Sequence, residues 1–316
     1  MATIADVAAL AGVSKATASR AFSRPEVVSP ATARRVHEAA EKLGFVANSA
    51  ARQLAGGRTG IVALVVPTLA NSFFTPIIGG AQERAGAEGM QLTVVVHPLE
   101  HADELVAFER LSRQVDGYIV VAPRGSDDLV TAATRAKPAV LVDREIAGIA
   151  SVAADTAHAF GELASRLAGD GHRRILYIGG PEGSWQDRQR SAAVRAAAER
   201  AGALVDVVGP YPSTFAAGVG AADDVRRLTP TALIPYATAI GLGVQYALLS
   251  AGEPLPVVSS ENEIVDALGL VDTPAIDVDG VALGRTAVEL LIGRLARPGS
   301  DPETLRLPVP VTWPRA

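Results

Sequence analysis

The sequence predicts a small all-α segment followed by a much larger α/β body built from two doubly wound parallel sheets. Three observations predict it. Residues 3–44 carry apolar side chains at helical spacing, interrupted by Gly12 and again by Ser29-Pro30. From residue 60 the pattern changes to short apolar runs alternating with longer helical stretches, which is how parallel strands covered on both faces read. That alternation continues for about 255 residues, enough for two such sheets rather than one.

The elements follow in order. Thr3 precedes the first helix and Asp6 stands three residues on, an Asp form of the capping box. Ile4, Val7, Ala8 and Ala11 make its apolar face, and Gly12 ends it. Ser14 caps a second helix whose Ala18 and Phe22 face inward. Ser29 and Pro30 open a third, since Pro is favoured in the first helical turn. Val36, Ala40 and Leu43 form its stripe, and Gly44 closes it. Residues 48–57 then suit a helix of about two turns capped by Asn48, a length that is marginal in water unless something packs on it. Gly56-Gly57 follows as a flexible joint. In the body, buried strands are expected at Ile61–Val66, 92–96, 118–121, Ala139–Val142, 175–178, 233–234 and 257–258, with helices such as 74–88, 157–168, 186–200 and 238–251 between them. Ligands of such sheets sit outside the carboxyl ends of the strands.

The chain's net charge of −5 conceals an asymmetry. Residues 1–58 hold eight basic and four acidic side chains, net +4, which leaves −9 for the remainder. A basic arm on an acidic body points to nucleic acid as a partner of the arm. The absence of Cys excludes disulfides, thiolate metal sites and a Cys nucleophile together. No GxGxxG follows a strand, and there is no P-loop or GxSxG. His37, His97, His101, His158 and His172 are scattered rather than set at metal spacing. The sequence is therefore expected to be neither an enzyme nor a cofactor protein. No apolar run reaches about 18 residues. Met1 to Asp6 lacks the basic and apolar regions of a signal peptide, so a cytoplasmic, nucleoid-associated protein is expected. That expectation also opposes the main competing class, a sugar-binding transport protein.

Residues 4–20 resemble the N-terminus of the lactose/galactose repressor (LacI/GalR) family of transcription regulators. The matches are Asp6-Val7-Ala8, Ala11-Gly12-Val13-Ser14, Thr17, Ser19 and Arg20, and they continue through Val28-Ser29, Leu43-Gly44-Phe45, Asn48, Ala51-Arg52 and Leu54; the family's Pro is replaced by Ala47. The resemblance implies a small all-α helix-turn-helix domain plus hinge helix, followed by an α/β periplasmic-binding-protein-like (type I) effector domain of two doubly wound parallel-sheet subdomains. The implied boundaries are 1–47 for the helix-turn-helix domain, 48–59 for hinge and linker, and 60–316 for the body. Within the body, 60–155 and 278–297 would form one subdomain, and 156–274 and 305–313 the other.

A second helix of this length can place its N-terminal side chains on major-groove base edges. Lys15 suits a guanine edge or a solvated surface, and Ala16 can touch only a thymine methyl. Arg20 can reach a base or a phosphate. Thr3, Ser14, Thr17 and Ser19 are assigned with them, the hydroxyls of Ser14, Thr17 and Ser19 suiting phosphate oxygens, which set register without reading sequence. Ser14 serves equally well as a plain helix cap. The resemblance implies that Asn48, Ala51 and Leu54 belong to a hinge helix in the minor groove, with Leu54 as a wedge between base pairs; packing on the core is the alternative for Leu54. One unit reads a half-site, so a homodimer on a pseudo-palindromic operator is expected, with a tetramer open.

In the body the resemblance runs through residues 67–74, Val115-Asp116-Gly117, Val142-Asp143-Arg144, 171–175, Gly180-Pro181, Ser184-Trp185 and Arg190. It implies that Phe73, Phe74, Asp143, Trp185, Arg190, Tyr236 and Glu261 line an effector pocket. The bland alternatives are core packing for Phe73, an ion pair with Arg144 for Asp143, and a surface ion pair for Arg190. Where the family has Asn-Asp, this chain has Tyr236-Ala237, and where it has two acids after an aromatic, Ser260-Glu261-Asn262. Losing those donors and acceptors argues against an ordinary hexose. A sugar, a pentose or nucleoside, a derivative of one, or loss of ligand binding stays open. The function expected is a sequence-specific transcriptional repressor controlled by a small polar effector.

Overall fold

The computed structural model describes residues 2–23, 27–45, 58–259, 261, 267, 269 and 273–313. They fall into two units. Met1–Ile61 with Arg113–Asp116 form one, and Val62–Ser112 with Gly117–Ala316 the other.

The described residues of the first unit hold three helices, α1 (Ile4–Ala11), α2 (Lys15–Ser23) and α3 (Pro30–Lys42). The capping box of α1 is complete: the Asp6 N–H donates to Thr3 Oγ1 at 3.4 Å, and the Thr3 backbone N–H and hydroxyl both donate to Asp6 Oδ2 at 2.8 Å. Those Thr3 bonds, the backbone one first, hold the Asp6 carboxyl below its usual range. Gly12 takes φ +65°, the left-handed turn that lets α2 follow at once. Ser29 caps α3, with Pro30 in its first turn. Val7, Ala8, Ala11, Ala18, Ala21, Val36, Ala39 and Ala40 make a core of mostly small side chains, so the helices approach closely. Phe22 closes it, edge-on to His37 at 4.9 Å between centroids. The stripe expected of α3 is corrected at its end. Leu43 is its C-terminal cap and 37% exposed, and Ala39 takes the inward position instead. The reason is that a residue past the last helical turn no longer keeps the helix period. The expected hinge helix, with Asn48, Ala51 and Leu54, lies outside the described residues.

The second unit carries two sheets. Its strands are β1 (Ile61–Val66), β2 (Gln91–Val96), β3 (Gly117–Val121), β4 (Ala139–Val142), β5 (Ala150–Ala154), β6 (Arg174–Ile178), β7 (Leu204–Val208), β8 (Ala232–Pro235), β9 (Ala275–Ile276), β10 (Thr304–Leu307) and β11 (Val311–Thr312). The α-helices among its described residues are α4 (Phe74–Ala87), α5 (Leu105–Ser112), α6 (Asp127–Thr134), α7 (Thr156–Gly169), α8 (Trp185–Arg200), α9 (Phe215–Leu228), α10 (Thr238–Ser250) and α11 (Gly280–Ala296). The first sheet runs β10-β5-β4-β3-β1-β2, with parallel pairing from β10 through to β1. The second has β7-β6-β8 as its parallel core. Two single bridges, Leu233 to Val257 and Ser259 to Ala275, carry it on to the antiparallel pair β9-β11. The strand expected at 257–258 is thus reduced to a bridge. The last stretch also differs from expectation: residues 304–307 join the first sheet, parallel to β5, instead of the second lobe to which 305–313 were assigned.

Both sheets share a winding. The first strand of each lobe, β1 or β6, has the second on one side and the third on the other. Successive crossovers leave in opposite directions there, and a crevice opens at the carboxyl ends of those central strands. The runs Ile61–Val66 and Gly117–Val121 are almost wholly buried, which is why continuous rather than alternating apolar sequence codes for them.

Candidate DNA-reading face and effector cleft

On α2, Ala18 and Ala21 point inward, so Lys15, Ala16, Ser19 and Arg20 share the opposite face; all four are exposed. Thr3 is exposed as well and Thr17 is half-buried. Ser14 Oγ accepts from the Thr17 N–H at 3.1 Å and pairs with its hydroxyl at 2.8 Å, so Ser14 is a helix cap. The orientation leaves an outward surface with two cations and no acid along α2. Short side chains at Ala16 and Ser19 let a groove approach the helix backbone.

In the second unit, two adjoining cavities lie at the carboxyl ends of β1, β3, β4, β6 and β8. The larger, about 230 Å³, is bounded by the turn after β1 (Pro67, Thr68, Asn71), by Ala122 and Arg124 after β3, by Pro181 and Ser184 after β6, and by Ser213, Thr214 and Tyr236. The smaller, about 40 Å³, brings together Phe73, Phe74, Asp143, Gln186, Arg190, Tyr236 and Glu261. Six of the seven residues expected in the pocket therefore meet in one place. Trp185 is half-buried at the start of α8 and lines neither cavity.

Each member has a local reason to be there. Phe73 and Phe74 enter α4, rings edge to face at 5.9 Å; Phe74 also belongs to the core and Phe73 packs partly on it. Asp143 ends β4 with φ +54°, and Ala122 ends β3 with φ +45°. Two non-glycine residues in the left-handed region at neighbouring strand ends are strained backbone gathered at the crevice. The Asp143 carboxylate accepts from Gln186 Nε2 at 2.8 Å and from the Ala154 N–H at 3.0 Å. Its burial raises its pKa above the ordinary carboxylate range, against the pull of those bonds and of Arg190. The alternative of a pair with Arg144 does not arise, because Arg144 turns away to Asp127 at 2.5 Å and to the Gly125 carbonyl at 3.1 Å.

Arg190 is 5% exposed. Its Nε donates to Thr156 Oγ1 at 2.9 Å and its Nη1 to the Tyr236 carbonyl at 2.8 Å. Its Cζ also lies over the rings of Phe160 and Tyr236, 4.8 and 4.7 Å from their centroids. It is a buried cation in contact with two aromatic rings, not a surface ion pair. The Tyr236 hydroxyl pairs with Ser184 Oγ at 3.1 Å. Its ring lies over Gly180, where an added Cβ would come within 2.5 Å of it. Glu261 sits beside Ser259, whose Oγ accepts the Glu261 N–H at 3.3 Å. At the mouth, Gly183 has φ +76° and its α-carbon faces the Arg124 carbonyl so closely that a Cβ would stand 2.3 Å from the oxygen.

Gln186, Thr156 and Arg124 are not singled out in the sequence, and Asn71 and Ser184 stand there as matches to the family without a place in the pocket. The signal for Gln186 was present: it lies four residues before Arg190, on the same face of α8, whereas Trp185 is rotated about 100° away. Among the described residues no group of three or more His, Asp or Glu is placed to hold a metal ion, and no helix is long and apolar enough to cross a membrane.

Residues 3–48 match the family described as bacterial regulatory proteins, lacI family, and residues 164–315 match the periplasmic binding protein-like domain. The maltose regulon regulatory protein MalI of Escherichia coli (strain K12) is 32% identical over 260 residues, covering 79% of this chain and 76% of MalI. The transcriptional regulator CelR–cellobiose complex superposes with a TM-score of 0.73 at 26% identity, covering 99% of this chain and 98% of that one. The lac repressor dimer bound to operator and the anti-inducer ONPF shares the fold, with a TM-score of 0.85 at 23% identity and coverage of 98% and 97%.

Proposed function

Because the chain belongs to the lacI family of bacterial regulatory proteins, we propose that it is a repressor that grips a pseudo-palindromic operator as a homodimer and releases or tightens its hold when a small polar effector enters the cleft. It is a DNA-binding transcription regulator with a periplasmic-binding-protein-like body. The observation that carries the proposal is the face of α2. Lys15, Ala16, Ser19 and Arg20 stand together, exposed, on a helix fixed by the Ser14 cap and an alanine-rich core. Lys15 and Arg20 supply base-edge or phosphate contacts, and Thr3, Ser14, Thr17 and Ser19 line the path of the backbone. Asn48, Ala51 and Leu54 stay assigned to the hinge that follows. A single unit covers a half-site, and the lac repressor dimer on its operator gives the arrangement that supports two. The protein acts in the cytoplasm on the nucleoid, with no cofactor and no catalysis.

The effector reading rests on Phe73, Phe74, Asp143, Arg190, Tyr236 and Glu261 around the paired cavities, with Trp185 beside them. Cellobiose in the CelR complex supports a sugar or sugar-like ligand. The Tyr236 ring and the cavity volume of about 230 Å³ favour a single small ring, a pentose, nucleoside or modified sugar, over a disaccharide. One observation favours a second reading. Arg190 already donates within the protein and lies over two aromatic rings. A body that fills its own pocket would sense no ligand.

The test uses the full chain and a duplex enriched from a random pool. Lys15→Ala should weaken binding of that duplex by about 10-fold to 100-fold, equivalent to about 1–3 kcal/mol for a base contact, and leave a scrambled duplex nearly unaffected. Equal losses on both would remove Lys15 from base reading. A thermal-shift panel of hexoses, pentoses and nucleosides then decides between the two readings of the body, since only a bound ligand raises the melting temperature.

A further inference from the structure

We propose that Asp116 is a positioning residue for DNA binding: it latches the end of the linker, so that the direction in which the chain enters the body is fixed rather than free. Its carboxylate takes one backbone N–H on each oxygen. Thr59 donates to Oδ1 at 2.7 Å and Gly60 to Oδ2 at 2.8 Å. Asp116 then returns a bond, its own N–H donating to the Ile61 carbonyl at 2.8 Å. Thr59 Oγ1 accepts the Ile61 N–H at 3.0 Å and closes the turn from within. Gly60 at φ +70° is what brings two successive N–H groups onto one anion, the geometry of a backbone nest.

Charge-assisted bonds of this kind are about twice as strong as neutral ones, and Asp116 is only 8% exposed, so water competes weakly. The chemistry is specific to Asp. Glu would push the oxygens a methylene too far, and Asn would turn its NH₂ toward a donor. Thr59, Gly60 and Asp116 line neither cavity of the cleft.

Its place in the chain gives it a regulatory meaning. Residues Arg113–Asp116 group with the N-terminal unit, although they lie far along the sequence from it. Asp116 runs directly into β3, whose buried strand Gly117–Val121 ends at Ala122, a wall of both cavities. One strand therefore carries the latch at its amino end and the cleft at its carboxyl end. Any displacement of the Asp116 backbone, which leads into β3, would act on Thr59 and Gly60 through these two bonds.

The test compares Asp116→Asn and Gly60→Ala with the unaltered full-length chain. Gly60→Ala perturbs the same nest from the other side, through its positive φ, with nothing within 4 Å of the added Cβ. Three quantities are read: affinity for a palindromic duplex enriched by the unaltered chain, affinity for a scrambled duplex, and amide hydrogen exchange at Thr59 and Gly60. Both variants should exchange these two amides faster, lose about 10-fold on the enriched duplex, and hold the scrambled one as before, because only a two-site grip needs a fixed exit. Asp116→Asn that fails to fold leaves Gly60→Ala to decide. Equal losses on the two duplexes, or unchanged affinity with faster exchange, overturn the positioning role. Should the unaltered chain enrich no duplex, the operator reading fails by itself, and unchanged exchange at Thr59 and Gly60 overturns the latch independently.

Discussion

Asp143 shows how much a single side chain at the crevice costs the fold that holds it. Its carboxyl is buried with a raised pKa, and its backbone is left-handed at φ +54°. A folded-state pKa above the unfolded value means the native state binds the proton more tightly. Stability therefore falls as pH rises from the unfolded pKa, near 4, through the folded one, and the full cost is present above the folded pKa. Asp143→Asn should remove that cost, keep an acceptor for Gln186 and Ala154, and suit the positive φ. Its melting temperature should exceed that of the unaltered protein at pH 7 and converge with it near pH 4. A constant difference at both pH values would show that titration of Asp143 is not the cause. The residue itself was legible in the sequence, through the motif Val142-Asp143-Arg144. Its partner was not: nothing in the sequence tells which of two adjacent charged residues turns inward, and here Asp143 turns to Gln186 and Arg144 to Asp127.

At the level of elements, legibility followed apolar content. β1 and β4 were read with their exact bounds of sequence, because their side chains are large, apolar and buried on both faces. β5 was missed because Ala-Ser-Val-Ala-Ala has no large hydrophobe to mark a strand. β7 and β10 were missed because the charged Asp206 and Arg306, each in an ion pair, interrupt their apolar runs. On α2 both readings of Ser14 survive, since a cap oxygen can also meet a phosphate, and two substitutions separate them. Ser14→Ala should destabilise the N-terminal unit by about 1 kcal/mol, the usual worth of a cap. Ser14→Asp keeps the cap and places a charge against the phosphates. Its thermal unfolding should match the unaltered chain while its DNA affinity drops. If Ser14→Asp binds DNA normally, the hydroxyl is a cap and nothing more.

For the molecule as a whole, the charge asymmetry seen in the sequence sets the salt response. Each phosphate neutralised by the basic arm should contribute about 0.9 to the slope of log affinity against log salt. A slope near zero in a titration from low to physiological salt would remove the arm from the complex. The body's response is set by how near its lobes already stand. At Gly183 there is no room between them for a side chain: a Cβ there would stand 2.3 Å from the Arg124 carbonyl oxygen. A methyl group there acts as a doorstop. Gly183→Ala should hold the cleft ajar while leaving every ligand-facing side chain intact, so a regulator that depends on closure would keep its DNA and lose its ear.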